Sequence, residues 1–127
     1  MPLDYTAPIA EALVPGGILF ASGTRSTNGD FTAIASPGLG QQLVIVGMNI
    51  QNEAPTANTI ILKAGASIFW RLLGQNQGDG IAFLTPPGRG WRIGGDANNN
   101  GNALQINLSA STQIGYSFAY FITQIGN

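Results

Sequence analysis

The stretch ALQINLSASTQIGYSFAYFITQ, residues 103–124, decides the fold. In its first half Leu104, Ile106 and Leu108 alternate with Gln105, Asn107 and Ser109, the period of two that a half-buried strand requires. Beyond the polar break at Ser111 and Thr112, Ile114, Tyr116, Phe118, Tyr120 and Ile122 alternate with Gly115, Ser117, Ala119, Phe121 and Thr123. One face of this second strand is bulky and the other mostly small. A small second face lets another surface approach closely, so the pattern predicts an oligomer.

Working outward, the same texture recurs in short segments: Ile18 to Thr24, Thr32 to Ala35, Gln41 to Gln51, Thr59 to Lys63, Ser67 to Leu73 and Gly80 to Thr85. Turn signals separate them, among them Asn28-Gly29-Asp30, Pro37-Gly38, Pro55, Pro86-Pro87-Gly88 and the run from Asn98 to Asn102. No long helical pattern is present. The expectation is an all-β chain, a single antiparallel jelly-roll or β-sandwich of about eight strands. It forms one domain, 18–127, preceded by an extended N-terminal arm, 1–17.

The arm contains Pro2, Pro8 and Pro15, which remove backbone donors and forbid a stable helix. It is nevertheless apolar, with Leu3, Tyr5, Ile9 and Leu13 as candidate contacts to a partner or to the arm's own domain. Two strands are apolar on both faces: Leu43-Val44-Ile45-Val46 and Thr59-Ile60-Ile61-Leu62. Such a run suits either a central strand covered on both sides or a subunit interface. The interface candidates are Val44, Val46, Tyr116, Phe118, Tyr120 and Phe121.

Charge is scarce. Only 11 of 127 residues are charged, six acidic and five basic, far below the roughly 25% of an ordinary soluble domain. Arg25, Lys63, Arg71, Arg89 and Arg92 are scattered, so there is no basic footprint for nucleic acid, and weak repulsion between copies favours an assembled state. Cysteine and histidine are absent, which removes disulfides, the usual zinc ligands and thiol or imidazole catalysis. The six acids fall in six separate segments and make no recognisable catalytic pair. No enzyme activity and no cofactor is expected. Residues 1–15 carry no positive n-region and no apolar stretch long enough for a signal peptide or membrane span, so no membrane partner is expected either.

Two loops merit weighing. Asp96-Ala-Asn98-Asn-Asn100-Gly101 matches the opening of a calcium loop, but its twelfth position is Asn107 rather than a bidentate Glu, so a hairpin loop is expected and no metal. The loop from Pro86 to Ile93 gathers Arg89, Trp91 and Arg92 among glycines. It suits a partner-protein contact, stacking on a sugar or base, or a Trp91 that plugs the end of the sandwich with the arginines reaching solvent. On the neighbouring strand, Trp70 is expected inward with Ile68 and Leu72, while Arg71 lies with Phe69 and Leu73 and calls for a carboxylate such as Glu53, Asp79 or Asp96.

The segments LKAGASIFWRLL (62–73), TPPGRGW (85–91) and NALQINLSASTQIGYSFAYF (102–121) together resemble small virion proteins of tailed bacteriophages, the capsid decoration or cement proteins above all. The resemblance covers residues 58–123 and is one of texture, chiefly N-A-L-x-I-N-L-S-A-S followed by G-Y-S-x-x-Y-F. It implies a jelly-roll or β-sandwich protomer forming a homotrimer on the outer capsid surface of the virion. Such a trimer bridges subunits of the major capsid protein and stabilises the capsid, with an N-terminal extension sharing the grip, and is made in the host cytoplasm. The alternatives from the residues themselves are a receptor- or glycan-binding β-sandwich, with Trp91, Tyr116 or Tyr120 as stacking platforms, or a tail or connector component of the virion.

Overall fold

A computed structural model describes residues 17–85 and 90–125. Among these residues nine strands form: β1 (Leu19–Arg25), β2 (Gly29–Ile34), β3 (Gln41–Asn52), β4 (Asn58–Ala64), β5 (Ser67–Gly74), β6 (Gly80–Leu84), β7 (Trp91–Arg92), β8 (Leu104–Leu108) and β9 (Ile114–Gln124). They make two antiparallel sheets. The first has the order β1-β9-β3-β6, with β7 also paired to β3; the second has the order β2-β8-β4-β5.

The pairing follows from a single long hairpin. Its tip is the two-residue turn between Ala64 and Ser67, where Gly65 takes a positive φ of 60° that a side chain would resist. Moving away from the tip, β4 pairs with β5, β3 with β6 and β7, β2 with β8, and β1 with β9. This doubled ladder is then rolled so that β9 also pairs with β3 and β8 with β4. The result is the jelly-roll wrapping of a β-sandwich. The strand beyond the expected eight is β7, whose two residues are too few to display any period.

The core lies between the sheets. Leu43, Ile45, Met48 and Ile50 from β3 and Ile114 and Phe118 from β9 face Ile60 and Leu62 from β4 and Leu104, Ile106 and Leu108 from β8. A bulge makes this possible. The register of β3 against β9 shifts between Ile45 and Gly47, so inward positions are odd-numbered before Val46 and even-numbered after it. Without that extra residue, one half of β3 would present its large aliphatics to the outside. The all-apolar run is therefore a central strand, lying between β9 and β6.

A second bulge, between Leu62 and Lys63, alters the expected faces of β5. Trp70 opposes Leu62 and Ile68 opposes Lys63, leaving Phe69 as the extra residue. Phe69 and Trp70 both pack on the core, whereas Ile68 is exposed. Strict alternation had grouped Ile68 with Trp70 and Phe69 with Arg71, and the bulge exchanges them. Among the described residues Arg71 makes no ion pair; the ion pair there joins Lys63 to Asp30 at 3.0 Å.

Two buried asparagines fasten the loops at one end. Asn58, 1% exposed, donates from Nδ2 to the carbonyls of Ala110 and Thr112 and to Thr112 Oγ1, and its Oδ1 accepts from the backbone N–H groups of Ser109 and Ala110. Asn52 donates to the carbonyls of Thr56, Gly74 and Asn76. Removing such a side chain leaves several buried backbone groups without partners, and each costs about 1–3 kcal/mol. Asn58→Ala is expected to lower unfolding stability by about 3 kcal/mol in urea denaturation. A loss below about 1 kcal/mol would show that water replaces the amide there.

Candidate functional site: an apolar groove on the first sheet

The four-strand register of the first sheet sorts its side chains into transverse rows. Phe20, Ala119, Gly47 and Leu84 form one outward row; Ser22, Ser117, Asn49 and Ala82 form the next; Thr24, Gly115, Gln51 and Gly80 form a third. The rows between them, such as Ala21, Phe118, Met48 and Phe83, point into the core. The first outward row is thus large at both edges and small in the middle, and the second is small throughout.

Phe20 on β1 is 79% exposed and Leu84 on β6 is 85% exposed. Between them lies a groove of about 620 Å³ floored by Gly47, Ala119, Ser117 and Asn49. Gly47 lets Leu84 lie close over the floor: a methyl group on it would lie 2.8 Å from Leu84 Cδ2 and 3.4 Å from Ala119 Cβ, displacing the leucine tip. None of the residues lining the groove is charged. At the third row the Glu53 carboxylate closes over Gly115 and accepts a hydrogen bond from Gln113 Nε2 at 3.1 Å.

The outward face of the second sheet is different. Asp30 accepts from Asn107 Nδ2 at 2.6 Å and from Lys63 Nζ at 3.0 Å. The Asn107 amide first, then the Lys63 ammonium, hold the Asp30 carboxyl below its ordinary range. Arg71 stands exposed on the same face. The second sheet thus carries charge outward, whereas on the first the groove lining carries none and Glu53 stands beyond it at the third row.

The expected contact residues fall in several places. On β9, Tyr116, Phe118 and Tyr120 turn inward: Phe118 is 2% exposed, and Tyr116 packs against Phe31 and Phe118 with ring centroids 5.6 and 5.9 Å apart. Val44 and Phe121 are a cross-strand pair outside the core cluster, yet they are only 2% and 7% exposed. Gly90 runs close over Val44 and Val46, since a methyl group on it would lie 2.7 and 3.2 Å from their Cγ1 atoms. Phe118, Val44 and Phe121 are therefore already covered within the protomer. The two most exposed large apolar side chains are Leu84 and Phe20, ahead of Leu39, Leu73 and Ile68, and strand-by-strand reading does not single them out. Their signal is relational: each is large only by contrast with small residues on neighbouring strands.

In the aromatic loop, Arg89 lies outside the described residues, as do Leu3, Tyr5, Ile9 and Leu13 of the arm. Trp91 pairs with Ile45 and packs against Phe83 and Trp70, with centroids 4.4 and 5.2 Å away and rings tilted by 38° and 33°. Phe69 meets it edge-on at 5.5 Å. This stack fills the space between the two sheets, while Arg92 points outward and is exposed. Trp70 Nε1 is buried without a hydrogen-bond acceptor among the described residues. The Asp96 loop is a side-chain-closed turn: Oδ1 accepts from the backbone of Asn98 at 2.8 Å and Asn100 at 3.0 Å, and these bonds hold its carboxyl below the ordinary range. Among the described residues no group of three or more acidic ligands converges on a metal-sized space.

Fold and surface together define a jelly-roll β-sandwich with an open apolar groove that no charged residue lines. No protein-family model matches the chain, and no curated protein sequence matches it. Among solved structures, the virus-like particle of the extra small virus of the giant freshwater prawn Macrobrachium rosenbergii is similar at 14% identity and a TM-score of 0.41, covering 96% of this chain and 89% of that one. A cyclase from Fischerella sp. TAU, in complex with 4-(1H-indol-3-yl)butan-2-one, is similar at 10% identity and a TM-score of 0.33, covering 90% and 88%.

The stack around Trp91 separates its role from that of Arg92. Trp91→Ala is expected to cost about 3–5 kcal/mol of stability by opening a cavity between the sheets. Arg92→Ala should change stability by less than about 0.5 kcal/mol. Urea midpoints of the two variants test this, and the reverse order would show that the arginine, not the indole, holds that end closed.

Proposed function

We propose that this protein is a non-enzymatic structural subunit of a virion. It decorates the outer surface of a phage capsid and stabilises it by bridging subunits of the major capsid protein as a homotrimer. The observation that carries this reading is the outward face of the first sheet, where Phe20 and Leu84 stand exposed beside a floor of small residues with no charge around it. Such a surface suits permanent contact with other protein and is a liability on a free monomer. The resemblance of residues 58–123 to decoration proteins supports the location.

The mechanism is additive burial. One protomer offers a modest patch, and the association cost offsets much of what that patch contributes. Copies held together bind the shell with later contacts forming at high effective concentration, so modest contacts give firm attachment. The glycan-binding alternative needs open aromatic platforms. Trp91 has rings packed against it, and Tyr116 and Tyr120 pack on the core, which speaks against that use.

The test is made on particles. Purified heads should contain the protein in fixed proportion to the major capsid protein, and heads assembled without it should release their contents at a temperature several degrees lower. Recovery of the protein only with tails, or only free of particles, would refute the assignment.

A further inference from the structure

A large-edged row and an all-small row lie side by side on one face, around a groove that no charged residue lines. We propose that this face is where a second copy of the chain docks, with Phe20 and Leu84 of one copy seated on the small row of the other. This contact rests on the decoration role proposed above; because the same face serves both copies it is two-fold, and it joins copies of neighbouring trimers rather than the three copies of one trimer.

The rows repeat about every 7 Å along the strands, and the two edges of the first row stand about 14 Å apart across three strand spacings. A copy laid on with a one-row offset places its Phe20 and Leu84 over Ser22, Ser117, Asn49 and Ala82, where short side chains leave room for them. The face thus supplies both the projections and the space that receives them. Charge points to the same partner. A protein selected by ion pairing would meet Asp30, Lys63 and Arg71 on the other sheet; the groove lining offers it no charge, and a second copy of that lining brings none to be left unpaired, Glu53 standing beyond it at the third row.

Area sets the strength. Four strands and three rows outline a face of about 400 Å². That is about half of what one partner contributes to a standard stable interface, so association of the isolated protein should be weak and concentration-dependent. On a shell, where copies are held side by side, the same contact is strengthened by proximity.

Sedimentation velocity of the full chain, from about 1 to about 200 µM, tests the proposal. The wild type should shift from monomer to larger species as concentration rises. Phe20→Ser with Leu84→Ser should move that transition at least about tenfold higher, a change in dissociation constant of about 1.4 kcal/mol. Ser117→Trp is the decisive variant: it adds apolar surface but fills the receiving row, so a specific fit is weakened where general stickiness would be strengthened. Leu73→Ser, on the other sheet, should leave association unchanged, and strand circular dichroism confirms that each variant is folded. A wild type monomeric throughout, or tighter association in Ser117→Trp, overturns the proposal. A monomer whose retention on particles is lost in the Phe20→Ser, Leu84→Ser variant assigns the face to the shell protein instead; that outcome overturns this inference and leaves the decoration role standing.

Discussion

The pairing of β3 with β9 is the constraint from which the rest of the molecule follows. It runs from Gln41 opposite Gln124 to Asn52 opposite Ile114 and joins the first half of the chain to its end. The inward residues of β9 fall strictly on even positions, from Ile114 to Ile122, and β3 can match them over its whole length only by inserting Val46. A slip of one residue would turn Phe118 and its neighbours to the outside and bring Gly115, Ser117 and Ala119 into the core. Register here is therefore fixed by the burial of large side chains.

The same register determines what the surface can do. Because β9 is bulky inward and small outward, the outward face of the first sheet is low in the middle, and the edge strands β1 and β6 raise Phe20 and Leu84 on either side of it. Most of the charges stand away from the groove, with Glu53 at the third row of its face. Asp30 and Lys63 pair on the second sheet, Asp79 accepts from the backbone of Gln75 and Asn76, and Asp96 closes its own loop. A chain this poor in charge has little to repel a neighbour of its own kind.

Much of the fold was legible because period-two alternation is a local property. The segments around β3, β4, β5, β8 and β9 can be read from consecutive residues, whereas the hairpin tip at Gly65 carries too weak a turn signal to be singled out. What local reading misses is whatever depends on an inserted residue or on several strands at once. The bulge opposite Leu62 and Lys63 exchanges the expected faces of Ile68 and Phe69 without any mark in composition. Strand β7 is held by its pairing with Val44 and Ile45 and by the aromatic stack on Trp91, neither of which a two-residue segment can announce. Phe20 and Leu84 emerge as a pair only once four strands are aligned, although the small face of β9 between them is legible in the sequence.

The most direct measurement is a cryo-electron microscopy map of the assembled particle at side-chain resolution. The account predicts an eight- to nine-stranded sandwich on the outer shell, with the Phe20 and Leu84 row buried against a neighbouring copy and the Asp30 and Lys63 face turned elsewhere. Particles without such density, or a sandwich whose Phe20 and Leu84 row faces open solvent, would contradict it.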